Sequence, residues 1–170
     1  RVFIPHLFSL LGSPFSSKTY LVVFQNDTEL RPTGGFISAY GVVEFTYGFI
    51  PHLKISDVYG DIDDHAYVAP PYPMEELLAN EWYQGYTFRD ANYNPDFPSS
   101  AEDLVTFYRK TNPDAVFDGV IAVDFSFIEN VTKIIGGVTV DDVEITGENL
   151  FEVMEETVSN VDRHNVDALA

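Results

Sequence analysis

The chain has 170 residues, 45% of them apolar and 15% aromatic, with nine Lys and Arg against 27 Asp and Glu for a formal charge of -18. This composition belongs to a globular fold long enough to bury a core, and it excludes intrinsic disorder. The charge argues against nucleic acid as a partner and against a basic face for anionic lipid, and the absence of cysteine removes disulfides, thiolate metal sites and a cysteine nucleophile.

No stretch approaches the roughly 20 apolar residues that cross a bilayer. The first residue is Arg1 and not Met. The expectation is therefore a single α/β domain over 1–170, cut from a longer chain whose membrane anchor lies outside this segment.

In chain order, 4–12 reads as a short apolar segment closed by Gly and Ser. Residues 19–25, T-Y-L-V-V-F-Q, form a β-branched run of the kind buried on both faces of a sheet. A second strand is predicted over 37–45, a hairpin turn at Tyr47-Gly48 and a third strand over 49–55. An acidic, proline-rich region follows at 57–73, then a short helix at 74–80, then a stretch with little periodicity at 83–98. Such a stretch is more often functional than merely connecting.

Ser99 and Glu102 have capping-box spacing ahead of an apolar face of Ala101, Leu104, Val105 and Tyr108, and Asn112-Pro113 ends that helix. A buried-type strand is expected at 117–123, and a second capping box at Ser126 and Glu129 opens a helix that Gly136 stops in the left-handed conformation. Short strands at 138–140 and 143–145 follow, and Thr146 opens a last helix facing inward through Leu150, Val153, Met154 and Thr157. The alternation of helix and strand from 101 to 140 has a βαβ-like rhythm. The fold class is α/β: a three-layer sandwich around a mixed central sheet.

Cations are scarce in this chain, so each arginine is a candidate for a specific task. Arg31-Pro32-Thr33-Gly34-Gly35 fits a nest, in which glycines let successive N–H groups converge on an anion and Arg31 adds a bidentate fork. It equally fits a tight turn with Arg31 paired to a local acid such as Glu29. Arg89, Asp90, Asn92 and Asp96 form a second cluster, either holding phosphate and metal or shaping the approach to the following helix. Asp57, Asp61, Asp63, Asp64 and His65 offer oxygen ligands for a hard cation, although a solvated acidic loop is the commoner meaning. The three histidines His6, His52 and His164 lack metal-ligand spacing, and the sequons at Asn26 and Asn130 read as chance. Trp82, Tyr83, Tyr86, Phe88 and Tyr93 suit stacking on sugar rings or packing against the sheet. Asp90 and Asp96 as paired carboxylates also admit a glycosidase, if both face one cleft.

Four segments carry a family resemblance: L-G-S at 11–13, Y-L-V-V-F-Q-N-D-T-E-L-R-P-T-G-G-F-I at 20–37, R-D-A-N-Y-N-P-D-F-P-S-S-A at 89–101 and D-G-V-I-A-V-D at 118–124. They closely resemble the bacterial domain of unknown function 4012, nearly end to end. More distantly, 118–140 and the Asp90-Ala91-Asn92 segment resemble the LytR–CpsA–Psr domain of cell-envelope enzymes that transfer glycopolymers from a polyprenyl pyrophosphate carrier. That likeness implies a LytR–CpsA–Psr-like fold in an extracytoplasmic location at the bacterial cell envelope or surface. Its ligand would be a phosphorylated or polyprenyl-linked glycan, with Mg²⁺ as cofactor and glycosyl-phosphoryl transfer as the reaction.

On this reading Arg31 and Arg89 neutralise the phosphates, and Thr33, Gly34, Gly35 and Asp96 line the substrate. Asp57 or Asp90 holds the metal, and Asn92 orients the substrate. Those transferases carry an Ile-Pro-Arg-Asp signature whose counterpart here is Lys54-Ile55-Ser56-Asp57, without the arginine. That loss, with the strong negative charge, motivates the alternative of a non-catalytic cell-surface scaffold or glycan-binding module.

Overall fold

The computed structural model describes residues 9–62, 68–78 and 85–153. The chain divides into two compact units, Arg1–Asp124 and Phe125–Ala170. Among the described residues no helix is long and apolar enough to cross a membrane.

The first unit is built on a four-stranded mixed sheet in the order β3-β2-β1-β4. β1 (Lys18–Asn26) and β2 (Phe36–Thr46) are antiparallel, as are β2 and β3 (Phe49–Asp57), while β4 (Gly119–Asp124) runs parallel to β1. The β-branched run puts consecutive residues Tyr20, Leu21, Val22 and Val23 in the interior. Alternate side chains of a strand point to opposite faces, so four buried neighbours mean that both faces of β1 are covered. The β2–β3 hairpin turns at Tyr47 and Gly48, both with positive φ (53° and 81°), as a two-residue turn matched to strand twist requires.

Leu21 and Val23 face the larger core, where Ile37, Tyr40, Phe88 and Leu104 join them. Full burial of side chains of this size contributes about 1.5–3 kcal/mol each. α1 (Val58–Asp61) follows β3, α2 (Met74–Leu78) comes next, and a 3₁₀ turn spans Phe88–Asp90. α3 (Phe97–Thr111) buries Leu104 and Phe107 in the same core, with Val105 and Tyr108 packed at its margin. On the opposite face, Tyr20, Val22 and Val43 form a smaller cluster with Phe24, Phe45 and Val123.

Two start points differ from expectation. α3 begins at Phe97 and its cap is Asp96, not Ser99, because the Asp96 carboxylate accepts from the Ser99 amide (3.1 Å) and hydroxyl (2.6 Å). Pro98 in the first turn fits this frame, since proline lacks only an N–H that has no partner there. In the second unit α4 (Phe125–Ile135) likewise starts one residue before Ser126. It ends as foreseen: Gly136 (φ 84°) and Gly137 (φ 97°) both direct their amides to the Thr132 carbonyl.

β5 (Val138–Val140) and β6 (Val143–Ile145) pair with each other in a separate two-stranded sheet, so the strand after α4 does not extend the βαβ rhythm into the main sheet. Leu150 and Val153 lie in the closing helical turn, with Thr146 and Asn149 capping one another ahead of it. Met154 and Thr157 lie outside the described residues, as do His6, Asp63, Asp64, His65, Trp82, Tyr83 and His164.

Candidate functional site

β1, β3 and β4 run in the same direction, so their carboxyl ends share one edge of the sheet. In open α/β sheets ligands bind at that edge. Here it is formed by the loop after Asn26, by Asp57 and by Asp124.

The first arginine motif folds tightly onto the end of β1. Asn26 accepts from the amide (3.1 Å) and hydroxyl (2.6 Å) of Thr28, and the Phe36 amide returns to the Glu29 carbonyl at 2.9 Å. Arg31 to Gly34 make a β-turn with Pro32 at its second position, closed by Gly34 N–H to Arg31 O at 3.0 Å. The amide of Gly34 is therefore spent inside the turn and is not free for an anion. Gly35 sits where any Cβ would collide with the carbonyl group of Asn26. The buried Gln25 donates through Nε2 to the Thr33 hydroxyl oxygen at 3.0 Å, which fixes Thr33 against the strand. Arg31 places its guanidinium 5.3 Å from the centroid of Phe36 and donates to the Leu30 carbonyl; among the described residues it forms no ion pair with Glu29.

The second motif is a pair of overlapping turns, with Asp90 N–H bonded to Thr87 O and Tyr93 N–H to Asp90 O. Phe88 anchors it, fully buried against Tyr40 at 5.4 Å between ring centroids. Tyr86 packs edge-on to Phe107, so these two aromatics are core residues and not a sugar platform. Arg89 lies over the Tyr59 ring at 5.4 Å, and its Nε is 3.9 Å from the Asp90 carboxylate. That carboxylate also accepts from the Thr87 hydroxyl at 3.1 Å. Burial pushes the Asp90 pKa up; the Thr87 hydrogen bond and the charges of Arg89 and Arg31 pull in the other direction.

Arg89 lies beside the buried Asp90 carboxyl, whereas Arg31, 58 positions earlier in the sequence, forms no ion pair with it among the described residues and is felt there only through its charge. A direct bond joins the two motifs: Asn92 Nδ2 donates to the Gly35 carbonyl at 2.7 Å. Asn92 has no exposed surface, and its Oδ1 is buried without a hydrogen-bond partner among the described residues. A buried acceptor in that state costs about 1–3 kcal/mol.

The remaining expected site residues have local tasks. Asp96 is the α3 cap, and the Ser99 amide and hydroxyl hold its pKa down. Its Oδ2 is thereby engaged in the cap, a local task besides the glycosidase pairing with Asp90 that the sequence admits. Asp57 caps α1, accepting from the Tyr59 amide at 2.7 Å, and its carboxylate is solvent-exposed. Among the described residues no three Asp, Glu or His side chains gather to hold a metal by themselves; Asp57 and Asp90 each offer one carboxylate. Gln25, Tyr59 and Thr87 complete the assembly and were not anticipated. Only Gln25 had a signal, as a polar residue closing an otherwise apolar strand.

No curated protein and no solved structure matches the chain. A family model does, over residues 16–158, and this span takes in both arginine motifs, the strand after α3 and the Gly136-Gly137 stop. The chain belongs to the family described as "Protein of unknown function (DUF4012)".

Proposed function

We propose that this chain is an extracytoplasmic bacterial envelope domain that binds a phosphorylated or polyprenyl-linked glycan at the carboxyl edge of its sheet. The observation that carries this reading is the Asn92 bond to Gly35, which brings the Arg31 motif and the Arg89–Asp90 motif together at one end of the sheet. A chain with nine cations and 27 acids places two arginines where parallel strands end. Paired guanidinium groups suit phosphate oxygens through charge-assisted, bidentate hydrogen bonds. The cell-envelope location and the glycan come from the LytR–CpsA–Psr resemblance. A three-layer arrangement of that type is supported by apolar clusters on both faces of the sheet.

In a catalytic version the reaction is glycosyl-phosphoryl transfer. An acceptor oxygen forms a bond to phosphorus, the bond to the leaving phosphate breaks, and the arginines stabilise the charge on the equatorial oxygens. Mg²⁺ characteristically takes one or two carboxylates together with phosphate oxygens, so Asp57 or Asp90 would suffice on the protein side. When bound, the ion would neutralise charge developing on the phosphates. The Thr33 hydroxyl keeps its proton available, because its oxygen is the acceptor in the bond from Gln25.

Titration calorimetry with geranyl pyrophosphate, with and without Mg²⁺, tests binding. Wild type should bind, and Arg31→Ala and Arg89→Ala should each weaken it by on the order of tenfold or more. A wild-type chain with no affinity under either condition would remove the proposal. A non-catalytic glycan-binding or scaffold role is favoured by one feature: both guanidiniums already have partners in Phe36, Tyr59 and Asp90. If the cellular phenotype survives the double Arg→Ala variant with the fold intact, the non-catalytic reading holds.

A further inference from the structure

The end of the sheet remote from the arginines has a different chemistry. Lys18 pairs with Phe45 and Asn26 with Phe36, so the start of β1 and the β2–β3 hairpin tip share that remote end. Two turns project there side by side, the Ser13–Ser16 turn and the Tyr47–Gly48 turn. They are fastened together by Gly48 N–H to Leu11 O (3.0 Å), by the Ser17 and Thr46 hydroxyls (2.8 Å) and by the Tyr20 hydroxyl donating to Leu10 O (2.8 Å). Gly12, at φ 75°, lets the two approach: a Cβ there would come within 2.6 Å of the Phe45 carbonyl oxygen.

From this platform Leu10, Phe15, Tyr47, Phe49 and Ile50 all stand more than half exposed, Phe15 at 97% and Phe49 at 74%. Clustered exposed apolar side chains of this kind mark an interaction surface. The charge pattern is equally marked. In a chain with 27 acids, the two segments that carry the turns, 1–26 and 45–56, contain no Asp or Glu, and the acids that reach this end from neighbouring segments face its basic side chains: Asp118 lies 2.5 Å from Lys18 and Glu44 4.0 Å from His52.

The geometry points to insertion of these two turns into the surface of a phospholipid bilayer. Three observations select lipid over other occupants. The surface consists of projecting turn tips, which enter a soft phase more readily than they fill a rigid partner's contour. The backbone donors of the tips are satisfied within the fold: the amides of Ser13 and Ser16 go to each other's carbonyls, that of Phe15 to the Ser13 hydroxyl, and that of Gly48 to Leu11. Internal satisfaction is what an apolar medium demands of backbone that enters it. A second copy adding a strand to the edge strand β3 would meet Pro51, which has no N–H to give. Aromatic and aliphatic side chains at the headgroup level, with the neighbouring carboxylates of Asp118 and Glu44 set against Lys18 and His52, complete the match.

Flotation with phosphatidylcholine vesicles, with and without phosphatidylglycerol, tests this directly. The chain should float with both, and Phe15→Ser with Phe49→Ser should lower partitioning by roughly tenfold or more while the circular dichroism spectrum and melting temperature stay unchanged. Absence of wild-type flotation, or flotation equal in the double variant, would overturn the inference. So would binding that appears only with phosphatidylglycerol and vanishes in salt, since that is headgroup electrostatics without insertion. A concentration-dependent dimer abolished by the same two serines would assign the surface to a second copy and overturn it as well. None of these outcomes involves Arg31 or Arg89, so the result stands apart from the glycan reading.

Discussion

The two ends of one sheet solve opposite problems. At the carboxyl end of β1, charged and polar groups are spent on partners within the fold: Arg89 on Tyr59 and Asp90, Arg31 on Phe36 and the Leu30 carbonyl, Asn92 on Gly35, Gln25 on Thr33. At the amino end, apolar side chains are pushed outward while the backbone beneath them is satisfied. A buried polar network is stabilising only when nearly every member is paired, so it tolerates little change. An exposed apolar tip touches little and tolerates almost anything. The comparison teaches that sensitivity to mutation and candidacy for function need not coincide. It also has a geometric consequence. Nine residues of β1 separate the ends by roughly 25–30 Å.

The largest expected contrast lies between Gly35 and Phe15. Gly35→Ala drives a Cβ into the Asn26 carbonyl and the Asp27 amide, and neither is the free end of a flexible side chain. The Arg31–Gly35 loop must then leave β1 and carry the Asn92 bond with it. We expect a loss of roughly 1–3 kcal/mol, as in overpacked cores, and a clear drop in the urea midpoint. Phe15→Ser should stay within about 0.5 kcal/mol of wild type. Equal effects on the two would mean that the ends are not built as described.

Asn92→Ala comes next. It deletes a buried donor and leaves the Gly35 carbonyl unpaired, at a cost of about 1–3 kcal/mol. The orphaned Oδ1 disappears in the same substitution, which offsets part of that cost. Hydrogen exchange locates the effect: faster exchange at both Phe36 and Tyr93 supports Asn92 as the clip between motifs, and a change confined to one of them counts against it.

Much of this was legible in the sequence for reasons that are themselves local. The run at 19–25 announces a doubly buried strand because β-branched residues alternate with nothing polar, and Tyr47-Gly48 announces a turn because glycine accepts positive φ. The cap of α3 was misplaced by three residues because Ser99 and Glu102 imitate a capping box that Asp96 pre-empts. Phe107 falls outside the apolar face that the spacing predicts, yet it is buried in the core, edge-on to Tyr86, which arrives from another segment. The Asn92–Gly35 bond spans 57 positions, and no periodicity encodes such a contact. What the sequence offered for the site was the rarity of arginine and its place in two distinctive motifs. The partners those arginines take within the fold were visible only in three dimensions.

The smallest effect is the most diagnostic of the polar end. Asp90 is held in its uncharged form more readily than a free aspartate, chiefly by burial. A carboxyl group whose folded pKa is raised binds its proton more tightly in the native state. Its contribution to stability is therefore fully present below the ordinary aspartate value near 3.8 and is lost as pH rises through the elevated folded value. At neutral pH the ionised group is a burden that the two arginines only partly relieve. Asp90→Asn, which keeps the shape and can still bond Thr87, should match or exceed wild-type stability at pH 7, and its advantage should vanish as the pH falls toward the free-aspartate range. Melting temperatures of both proteins across that interval decide the matter. Should the substitution instead destabilise the chain at neutral pH, the attraction of the arginines, Arg89 foremost, outweighs the burial, and the carboxylate belongs to the site as a charged member ready to share Arg89 with a ligand.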